Sequence, residues 1–387
     1  MLKNKKLIIQ HLPITMKTLS KSRFVSGVQC EKKLWYSYYR KDLQLPTDEQ
    51  TQAIFDLGHQ IGNLAQNRFP NGKDATPEDF SDFSPSIEKT KLWIAEEVET
   101  IYEATFTAKN ALCMLDILHR MNGEVWAIEV KNSTSVKDYH LTDASLQYFV
   151  MKEAGYVPDK FFLMHINNQY IKNGELTDEF FHLEDITDKV LSKQTWVEEN
   201  LERLLVMLEN KQEPNISIGA HCSSPFACDF VHHCWKHIPE NSVFELYRGG
   251  NKAWELYKQG ILKIEDIEDD FPLTHFQNLQ RKGLRNQEQY INKEAIKNMI
   301  SSWQFPLYFF DFETVFPAIP VLDGTRPYQQ IPFQYSLNIS RNLKPPSYRK
   351  KSSAFAGPRK PNRNCERRIK KNDFFNEKYI YIFVTIV

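Results

Sequence analysis

Residues 111–131 read ALCMLDILHRMNGEVWAIEVK, two apolar runs separated by Asn122 and Gly123. An Asn-Gly pair between β-prone runs is the strongest short-range signal for a β-hairpin with a two-residue turn. Closing that turn pairs Met121 with Glu124 and fixes the register of both strands beyond it. The sequence therefore predicts a hairpin whose pairing can be counted outward from the turn.

Counting outward places Asp116 directly opposite Glu129. Side chains opposed in an antiparallel pair have Cβ atoms about 4.5–5.5 Å apart, and Lys131 lies on the same face as Glu129. Two carboxylates at this separation repel each other unless a cation lies between them, and hard oxygen ligands suit Mg²⁺ or Mn²⁺. Together with a neighbouring ammonium group, such a metal site can hydrolyse phosphodiesters.

A simpler interpretation of these three side chains is a solvated salt bridge on an exposed face of the hairpin. The apolar neighbours Ile117, Ile128 and Val130 indicate instead that both strands are central in a sheet. An unpaired carboxylate is costly in such a position. The flanking sequence therefore favours a metal site.

The rest of the first 240 residues alternates between helix-like and strand-like segments, which predicts an α/β fold. Amphipathic spacing predicts helices over residues 49–67, 87–101, 143–154 and 195–211, and an apolar run predicts a strand over residues 160–166. A chain of 387 residues is also expected to hold more than one domain.

The hairpin and the helix after it resemble the motifs of the RecB-like branch of the PD-(D/E)XK nuclease superfamily. The matching residues are Leu115-Asp116-Ile117-Leu118, Ala127-Ile128-Glu129-Val130-Lys131 and Gln147-Tyr148. The resemblance covers residues 18–240. It implies a restriction-endonuclease-like core, in which helices flank a mixed central sheet, and the activity of a metal-dependent deoxyribonuclease.

The resemblance also implies roles for the hairpin residues. Asp116, Glu129 and the backbone carbonyl of Val130 would bind Mg²⁺ or Mn²⁺. Lys131 would be a catalytic residue that orients the nucleophile or stabilises the transition state.

Two further parts of the family site lie on helices. Gln147 and Tyr148 would act from the helix after the hairpin, although the family tyrosine usually stands four residues after the glutamine, where this chain has Met151. An upstream helical histidine that follows a glycine often completes the family's metal site. His59 is the candidate for that ligand.

Three evenly spaced cysteines follow the predicted core and a fourth precedes it. They are Cys222, Cys228, Cys234 and Cys30. Four thiolates are a complete ligand set for a metal centre. In RecB-like nucleases with an iron–sulfur cluster, one cysteine precedes the core and three follow it, so the resemblance implies a [4Fe–4S] cluster that ties the two ends of the domain together.

Histidines among these cysteines leave a mixed Cys/His zinc site as the main alternative. They are His221, His232, His233 and His237. The centre is therefore expected to be either a [4Fe–4S] cluster or Zn²⁺.

Residues 308–314, YFFDFET, form an apolar run with Asp311 and Glu313 on one face of the predicted strand. The run resembles the first motif of DnaQ-like exonucleases, which have an RNase H fold. The further acidic residues that such enzymes need occur only in an unpatterned segment. We therefore expect a partial RNase H-like segment with a vestigial site and no exonuclease activity.

These observations predict four regions. Residues 18–240 form the nuclease domain, and residues 241–300 form a helical linker with a candidate DNA-backbone-binding hairpin. Residues 301–340 begin the DnaQ-like domain. Residues 341–387 are expected to be a basic, disordered tail, because basic residues there outnumber acidic ones by about ten.

The formal net charge of +0 excludes a uniformly basic surface, so contact with DNA requires a local basic patch. No run is long enough to span a bilayer and no secretory signal is recognisable, which predicts a cytoplasmic protein without a membrane partner. We expect a deoxyribonuclease that acts on single strands or DNA ends, in repair or defence. The alternative is a catalytically weak iron–sulfur or zinc protein that binds DNA or serves as a scaffold.

Overall fold

A computed structural model describes residues 17–341 and, for the backbone alone, residues 351–354. The chain divides into two compact units. The described residues of unit 1 are 17–166 and 181–237, and those of unit 2 are 167–180, 238–341 and 351–354. The predicted range 18–240 overlaps unit 1, but residues 167–180 and 238–240 belong to unit 2.

Unit 1 is built on a mixed sheet, which within its described residues has seven strands. They are β1 Leu19–Ser20, β2 Lys73–Asp74, β3 Thr100–Ala108, β4 Ala111–Met121, β5 Glu124–Lys131, β6 Lys160–Ile166 and β7 Phe181–Asp185. The order is β2-β3-β4-β5-β6-β7, with β1 alongside β4. Strand β4 is antiparallel to both of its neighbours, β3 and β5, whereas β5 and β6 are parallel.

The central hairpin forms as the sequence predicts. Met121 pairs with Glu124, and Ile117 pairs with Ile128. Asn122 and Gly123 both have positive φ angles, 52° and 85°. This is the conformation of a type I′ turn, which Asn-Gly favours because these residues tolerate the left-handed region.

Helices flank this sheet, so the predicted α/β class with a mixed central sheet is confirmed. They are α1 Lys21–Gln29, α2 Glu31–Tyr39, α3 Glu49–Gln66, α4 Ser84–Ala95, α5 Asp138–Glu153, α6 Thr187–Leu191, α7 Gln194–Glu209 and α8 Val231–Cys234. Helix α5 is buried over most of its length. The main core joins side chains of the sheet, such as Leu115 and Phe161, to helix residues such as Leu146 and Leu204.

The predicted helix over residues 87–101 is wrong at its end. Helix α4 ends at Ala95, and β3 begins at Thr100 and pairs with β4 along almost its whole length. The residues of β3 are mainly β-branched or aromatic, and these types favour a half-buried pleated strand. This strand carries a carboxylate, Glu103, that the sequence prediction omitted.

Unit 2 contains a small helical core and a separate three-stranded sheet. Its described elements are α9 Asn251–Lys258, α10 His275–Asn286, α11 Lys293–Ser301, β8 Leu307–Val315, β9 Ile331–Ser340 and β10 Lys351–Ala354. Val243, Leu256 and Ile264 belong to one buried cluster, so residues 241–300 include a packed body and not only a linker.

The sheet of unit 2 has the order β10-β9-β8. In the region predicted to be a disordered tail, Lys351–Ala354 instead pair antiparallel with β9. The rest of that prediction, residues 342–350 and 355–387, lies outside the described residues.

None of the helices in the described part of the chain combines the length and the apolar character needed to cross a bilayer.

Candidate active site

The predicted carboxylates meet where strands β4 and β5 separate. Backbone pairing of the hairpin ends at Ile117 and Ile128, one residue before Asp116 and Glu129. Beyond that point Oδ2 of Asp116 accepts a 2.6 Å hydrogen bond from the backbone N–H of Val130. The predicted register therefore holds. Where the backbone ladder ends, the side chain of Asp116 accepts the hydrogen bond that a backbone carbonyl of β4 would otherwise accept.

The Val130 carbonyl was predicted to be a metal ligand. In an extended strand, the N–H and C=O of one residue face the same neighbouring strand. Because the Val130 N–H faces Asp116 on β4, its carbonyl faces that strand too. This orientation is compatible with the predicted role.

Two lysines hold the buried carboxylate of Glu129, which is 1% exposed. The Nζ atoms of Lys131 and Lys21 lie 2.6 Å and 2.8 Å from the same oxygen, Oε1. Lys131 Nζ also donates to Oδ2 of Asp143 at 2.7 Å. Convergence of Lys131 with Glu129 is confirmed, whereas Lys21 and Asp143 were not predicted.

Helix α5 contributes two polar side chains one turn apart. Gln147, fully buried, donates from Nε2 to Oε2 of Glu129 at 2.8 Å. The other oxygens, Oε1 of Gln147 and Oδ1 of Asp143, are buried without a hydrogen-bond partner among the described residues. Because these two side chains contact Glu129 and Lys131, their oxygens are the acceptors that a cation or donor bound at this site would reach.

Strand β1 explains how Lys21 reaches the site. Leu19 and Ser20 run parallel to β4 at Ala111 and Leu112, beyond the region where β5 pairs with that strand. Helix α1 then begins at Lys21, after Ser20 accepts a hydrogen bond from the backbone of Arg23. Lys21 therefore enters the site as the first residue of a capped helix.

A third strand adds Glu103 to the site. The register of β3 with β4 places Glu103 opposite Asp116. Its φ of 53° lies in the left-handed region, which is uncommon for a residue with this side chain. Burial and the neighbouring Asp116 raise the pKa of Glu103 to about 8.

The two predicted metal-binding carboxylates have opposite pKa shifts. Burial and the charge of Glu129 raise the pKa of Asp116 to about 7. Burial alone would also raise the pKa of Glu129, but Lys131 and Lys21 outweigh it and hold that pKa well below its usual range. Glu129 is therefore the ionised member of the pair, as expected for a carboxylate between two ammonium groups.

The charges and donor atoms of this cluster fit a divalent cation. The cluster contains four carboxylates and two ammonium groups. The carboxylates are those of Glu103, Asp116, Glu129 and Asp143, and the ammonium groups are those of Lys21 and Lys131. A bound divalent cation would favour the ionised forms of Glu103 and Asp116, and it would then balance the two negative charges left over by the lysines; carboxylate oxygens suit Mg²⁺ or Mn²⁺. Within the described residues, no three His, Cys, Asp or Glu side chains already surround one point closely enough to hold a metal ion. At Glu129 the two ammonium groups already hydrogen-bond to Oε1, an oxygen that a metal ion would need as a ligand.

Two predicted site residues are not brought to this cluster. Tyr148 is buried in the main hydrophobic core, because neighbouring residues of a helix point about 100° apart and Gln147 takes the direction of the site. His59 is exposed on α3, and within the described residues no hydrogen bond or ion pair joins it to the carboxylates. The structure assigns Tyr148 to packing and gives His59 no contact with the site.

The four predicted cysteines line one small cavity. Cys30 lies at the junction of α1 and α2, and Cys222, Cys228 and Cys234 come from the loop around α8. All four are free thiols. Burial raises the pKa of Cys228 to about 11, and the neighbouring Cys30 and Cys222 contribute to that shift. The four side chains thus line one cavity, but among the described residues no three of them surround a point closely enough to hold a metal ion, and the ligand set stays a prediction.

The histidines near this cavity differ in position. His221 lines the cavity together with the cysteines. His233 packs edge-on against Tyr36, with ring centroids 5.5 Å apart, and Nδ1 of His237 is 3.0 Å from the carbonyl of Cys234. His232 is exposed. Among the four, His221 is thus the one placed to replace a thiolate as ligand.

The second pair of acidic residues lies in unit 2. Asp311 and Glu313 are exposed on β8, which is at the edge of its sheet, and they lie opposite Ser336 and Gln334 of β9. The predicted strand and the shared face are confirmed.

Comparisons with known proteins assign little to this chain. Residues 308–380 match a family described as "Domain of unknown function (DUF2779)", which is less than half of the chain. Among solved structures, one titled "Crystal structure of SSO0001" is similar at 16% identity, covering 58% of this chain and 88% of that chain, with a TM-score of 0.26. A likeness at that score does not establish a shared fold. No curated protein matches.

Proposed function

We propose that unit 1 is a metal-dependent deoxyribonuclease that hydrolyses DNA phosphodiesters. The observation that carries this proposal is the convergence of Asp116, Glu129, Lys131 and Gln147 at the fork between β4 and β5. The buried acceptors of Asp143 and Gln147 support it, because they are unsatisfied without a cation or donor. The resemblance of the motifs to RecB-like nucleases gives the reaction class.

Each residue has a role that follows from its contacts. Asp116, Glu129 and the Val130 carbonyl would hold Mg²⁺ or Mn²⁺, which when bound activates water and neutralises charge on the phosphate. Lys131, fixed by Asp143, directs its ammonium group to the same place and stabilises the negative transition state. Gln147 orients the Glu129 carboxylate.

The cysteine-lined cavity is proposed to bind a [4Fe–4S] cluster, with Zn²⁺ as the alternative. The donor set of Cys30, Cys222, Cys228 and Cys234 is complete for either centre. The cluster would act structurally, because it would join the start of unit 1 to its last loop. Anaerobic purification followed by metal analysis and absorption spectroscopy distinguishes iron and sulfide from zinc.

We propose single-stranded DNA or DNA ends as the substrate, in repair or defence. The decisive experiment incubates purified full-length protein with labelled single- and double-stranded DNA and Mg²⁺ or Mn²⁺. Glu129→Ala and Lys131→Ala are each expected to reduce cleavage by at least about 10²-fold. Glu124→Ala, on the same strand, is the control, because its carboxylate bonds to Trp126 instead. Unchanged cleavage in both site variants would remove the proposal.

The alternative is a DNA-binding or scaffold protein with weak catalysis. The ion pairs of Glu129 with Lys131 and Lys21 favour it, since they leave the carboxylate with ammonium partners instead of an open metal position. Wild-type protein that binds DNA and retains its cysteine-bound metal, but does not cleave DNA with any divalent cation, would support this alternative.

A further inference from the structure

Lys21 and Lys131 compete for one atom, Oε1 of Glu129. Their Nζ atoms lie 2.8 Å and 2.6 Å from it. A carboxylate oxygen accepts about two hydrogen bonds, so these two ammonium groups saturate Oε1. Oε2 is held by Gln147. A metal ion that binds Glu129 through Oε1 must therefore displace one lysine.

The two lysines are held differently. Lys131 also bonds to Asp143 at 2.7 Å, which anchors it to α5. Among the described residues the Lys21 ammonium hydrogen-bonds to Glu129, the charges of Asp143 and Asp116 also attract it, and its side chain is 27% exposed. Displacing Lys21 costs one charged hydrogen bond and lets the ammonium be hydrated, whereas displacing Lys131 breaks two.

From these contacts we propose that Lys21 is a metal-displaced lysine. Without metal its ammonium occupies the metal-binding oxygen of Glu129. When Mg²⁺ or Mn²⁺ binds, that ammonium moves aside and binds a phosphate oxygen of the DNA. This inference rests on the proposed nuclease function and adds a phosphate-binding role for α1.

Charge explains why phosphate is the partner. With a divalent cation bound, the metal takes the place of Lys21 beside Glu129, and the metal and Lys131 remain against the carboxylates of the cluster. A phosphodiester adds one negative charge beside the metal. The Lys21 ammonium, which has three N–H donors, has then lost its hydrogen bond to Glu129 and can donate to the phosphate. Lys21 is also the first residue of a helix, and the N-terminal end of a helix favours anions.

The test measures Mn²⁺ binding and DNA binding separately. Mn²⁺ affinity is measured by electron paramagnetic resonance for the wild type, Lys21→Gln and Lys21→Arg. Removing the competitor is expected to tighten Mn²⁺ binding in Lys21→Gln by about tenfold, the equivalent of one charged hydrogen bond. Lys21→Arg, which keeps the charge, is expected to bind Mn²⁺ close to the wild-type level.

Binding of single-stranded DNA is then measured in Ca²⁺, which is used here as a cation that does not support rapid cleavage. Lys21→Gln is expected to bind DNA more weakly, with the slope of log affinity against log salt smaller by about 0.7. Lys91→Gln is the matched control, because Lys91 forms an exposed ion pair with Glu88 on α4. Lys91→Gln is expected to change neither the affinity for Mn²⁺ nor the affinity for DNA.

The outcomes separate this inference from the nuclease proposal. If the wild type does not bind Mn²⁺, or Glu129→Gln binds it equally well, the proposed metal site fails and this inference fails with it. If Glu129→Gln loses Mn²⁺ but Lys21→Gln binds Mn²⁺ no more tightly than the wild type, only the role of Lys21 is overturned. Thermal unfolding in EDTA shows whether each variant is folded. If Lys21→Gln is misfolded, the same comparison is made with Lys21→Met.

Discussion

Gln147 donates a 2.8 Å hydrogen bond from its amide to Oε2 of Glu129, so a residue of α5 fixes the carboxylate of β5. The amide oxygen of Gln147 is buried and has no partner among the described residues. Gln29 and Gln194 also have a bonded amide nitrogen and a buried, unpartnered amide oxygen, so this pattern alone does not mark a site. Gln147 differs because its amide nitrogen contacts the carboxylate of Glu129, which makes it an orienting group for that side chain.

Gln147→Ala is expected to reduce Mn²⁺ affinity and DNA cleavage by about 10- to 100-fold, the usual effect of removing a residue that orients a metal ligand. Binding is measured by calorimetry and cleavage with labelled DNA. Gln194→Ala is the control, because that amide bonds only to the backbone carbonyls of Ser145 and Val190. Equal losses in the two variants would indicate a general packing effect.

Asp143→Asn tests the anchor of Lys131. The substitution keeps the shape of the side chain but replaces a charged partner of Lys131 with a neutral one. We expect cleavage to fall by about tenfold or more while DNA binding in Ca²⁺ changes little, because Lys131 is displaced from its position in the transition state. A variant that loses DNA binding but cleaves bound DNA at the normal rate would contradict this role.

The hairpin could be predicted from the sequence because its turn is local. Asn122 and Gly123 determine the turn, and the register of Asp116 and Glu129 then follows from counting. The preceding turn has the same left-handed geometry at Lys109 and Asn110, with φ of 49° and 57°, but lysine is not a recognised signal for it. For that reason β3 was missed.

The other residues of the site differ in how visible they are in the sequence. Asp143 lies four positions before Gln147, so helical spacing could have placed both on one face. Lys21 lies 108 positions from Glu129, and no local pattern joins them. Its place depends on β1 lying beside β4, a long-range pairing of two residues. Tyr148 packs in the main core, a direction that the motif match alone does not determine.

The raised pKa values of Glu103 and Asp116 predict a pH-dependent stability in EDTA. Both folded-state pKa values, about 8 and about 7, lie above the ordinary carboxyl range. Above about pH 4 the folded state therefore holds protons that the unfolded state has released, so stability falls as the pH rises and levels off above the folded pKa values of about 7 and about 8. We expect the melting temperature in EDTA to decrease between pH 6 and pH 8.5.

The double variant Glu103→Gln/Asp116→Asn removes both titrating groups and is the comparison for that experiment. It is expected to show a smaller decrease over the same pH range, and Mn²⁺ is expected to stabilise the wild type more at high pH than at low pH. Parallel melting curves for the two proteins would mean that these carboxyls titrate normally.

The acidic pair of β8 is expected to be dispensable for cleavage. Asp311 and Glu313 are exposed at the edge of a sheet, and no ion pair joins them to a cation among the described residues. Asp311→Asn/Glu313→Gln should leave DNA cleavage within about twofold of the wild type, since substitutions of exposed side chains usually change stability by no more than about 0.5 kcal/mol. A loss comparable to that of Glu129→Ala would assign catalysis to β8.

The cysteine-lined cavity and the carboxylate cluster lie at opposite ends of α1. The helix begins at Lys21, and at its other end Gln29 donates from its amide to the carbonyls of His221 and Phe226 in the cysteine loop. Cys30 follows directly, so a centre bound there would hold the end of α1. We expect Cys228→Ser to abolish the bound metal, lower the melting temperature by several degrees and weaken DNA binding in Ca²⁺.

Cys113→Ala is the control for that substitution, because Cys113 is buried in the sheet core and does not line the cavity. Loss of its sulfur is expected to destabilise the fold through packing while the metal content stays at the wild-type level. Metal analysis and absorption spectra are compared for both variants. Because only Cys228→Ser releases the end of α1, only that variant should change DNA binding at temperatures where both proteins remain folded. Equal metal content in the two variants would show that the cavity does not hold the centre.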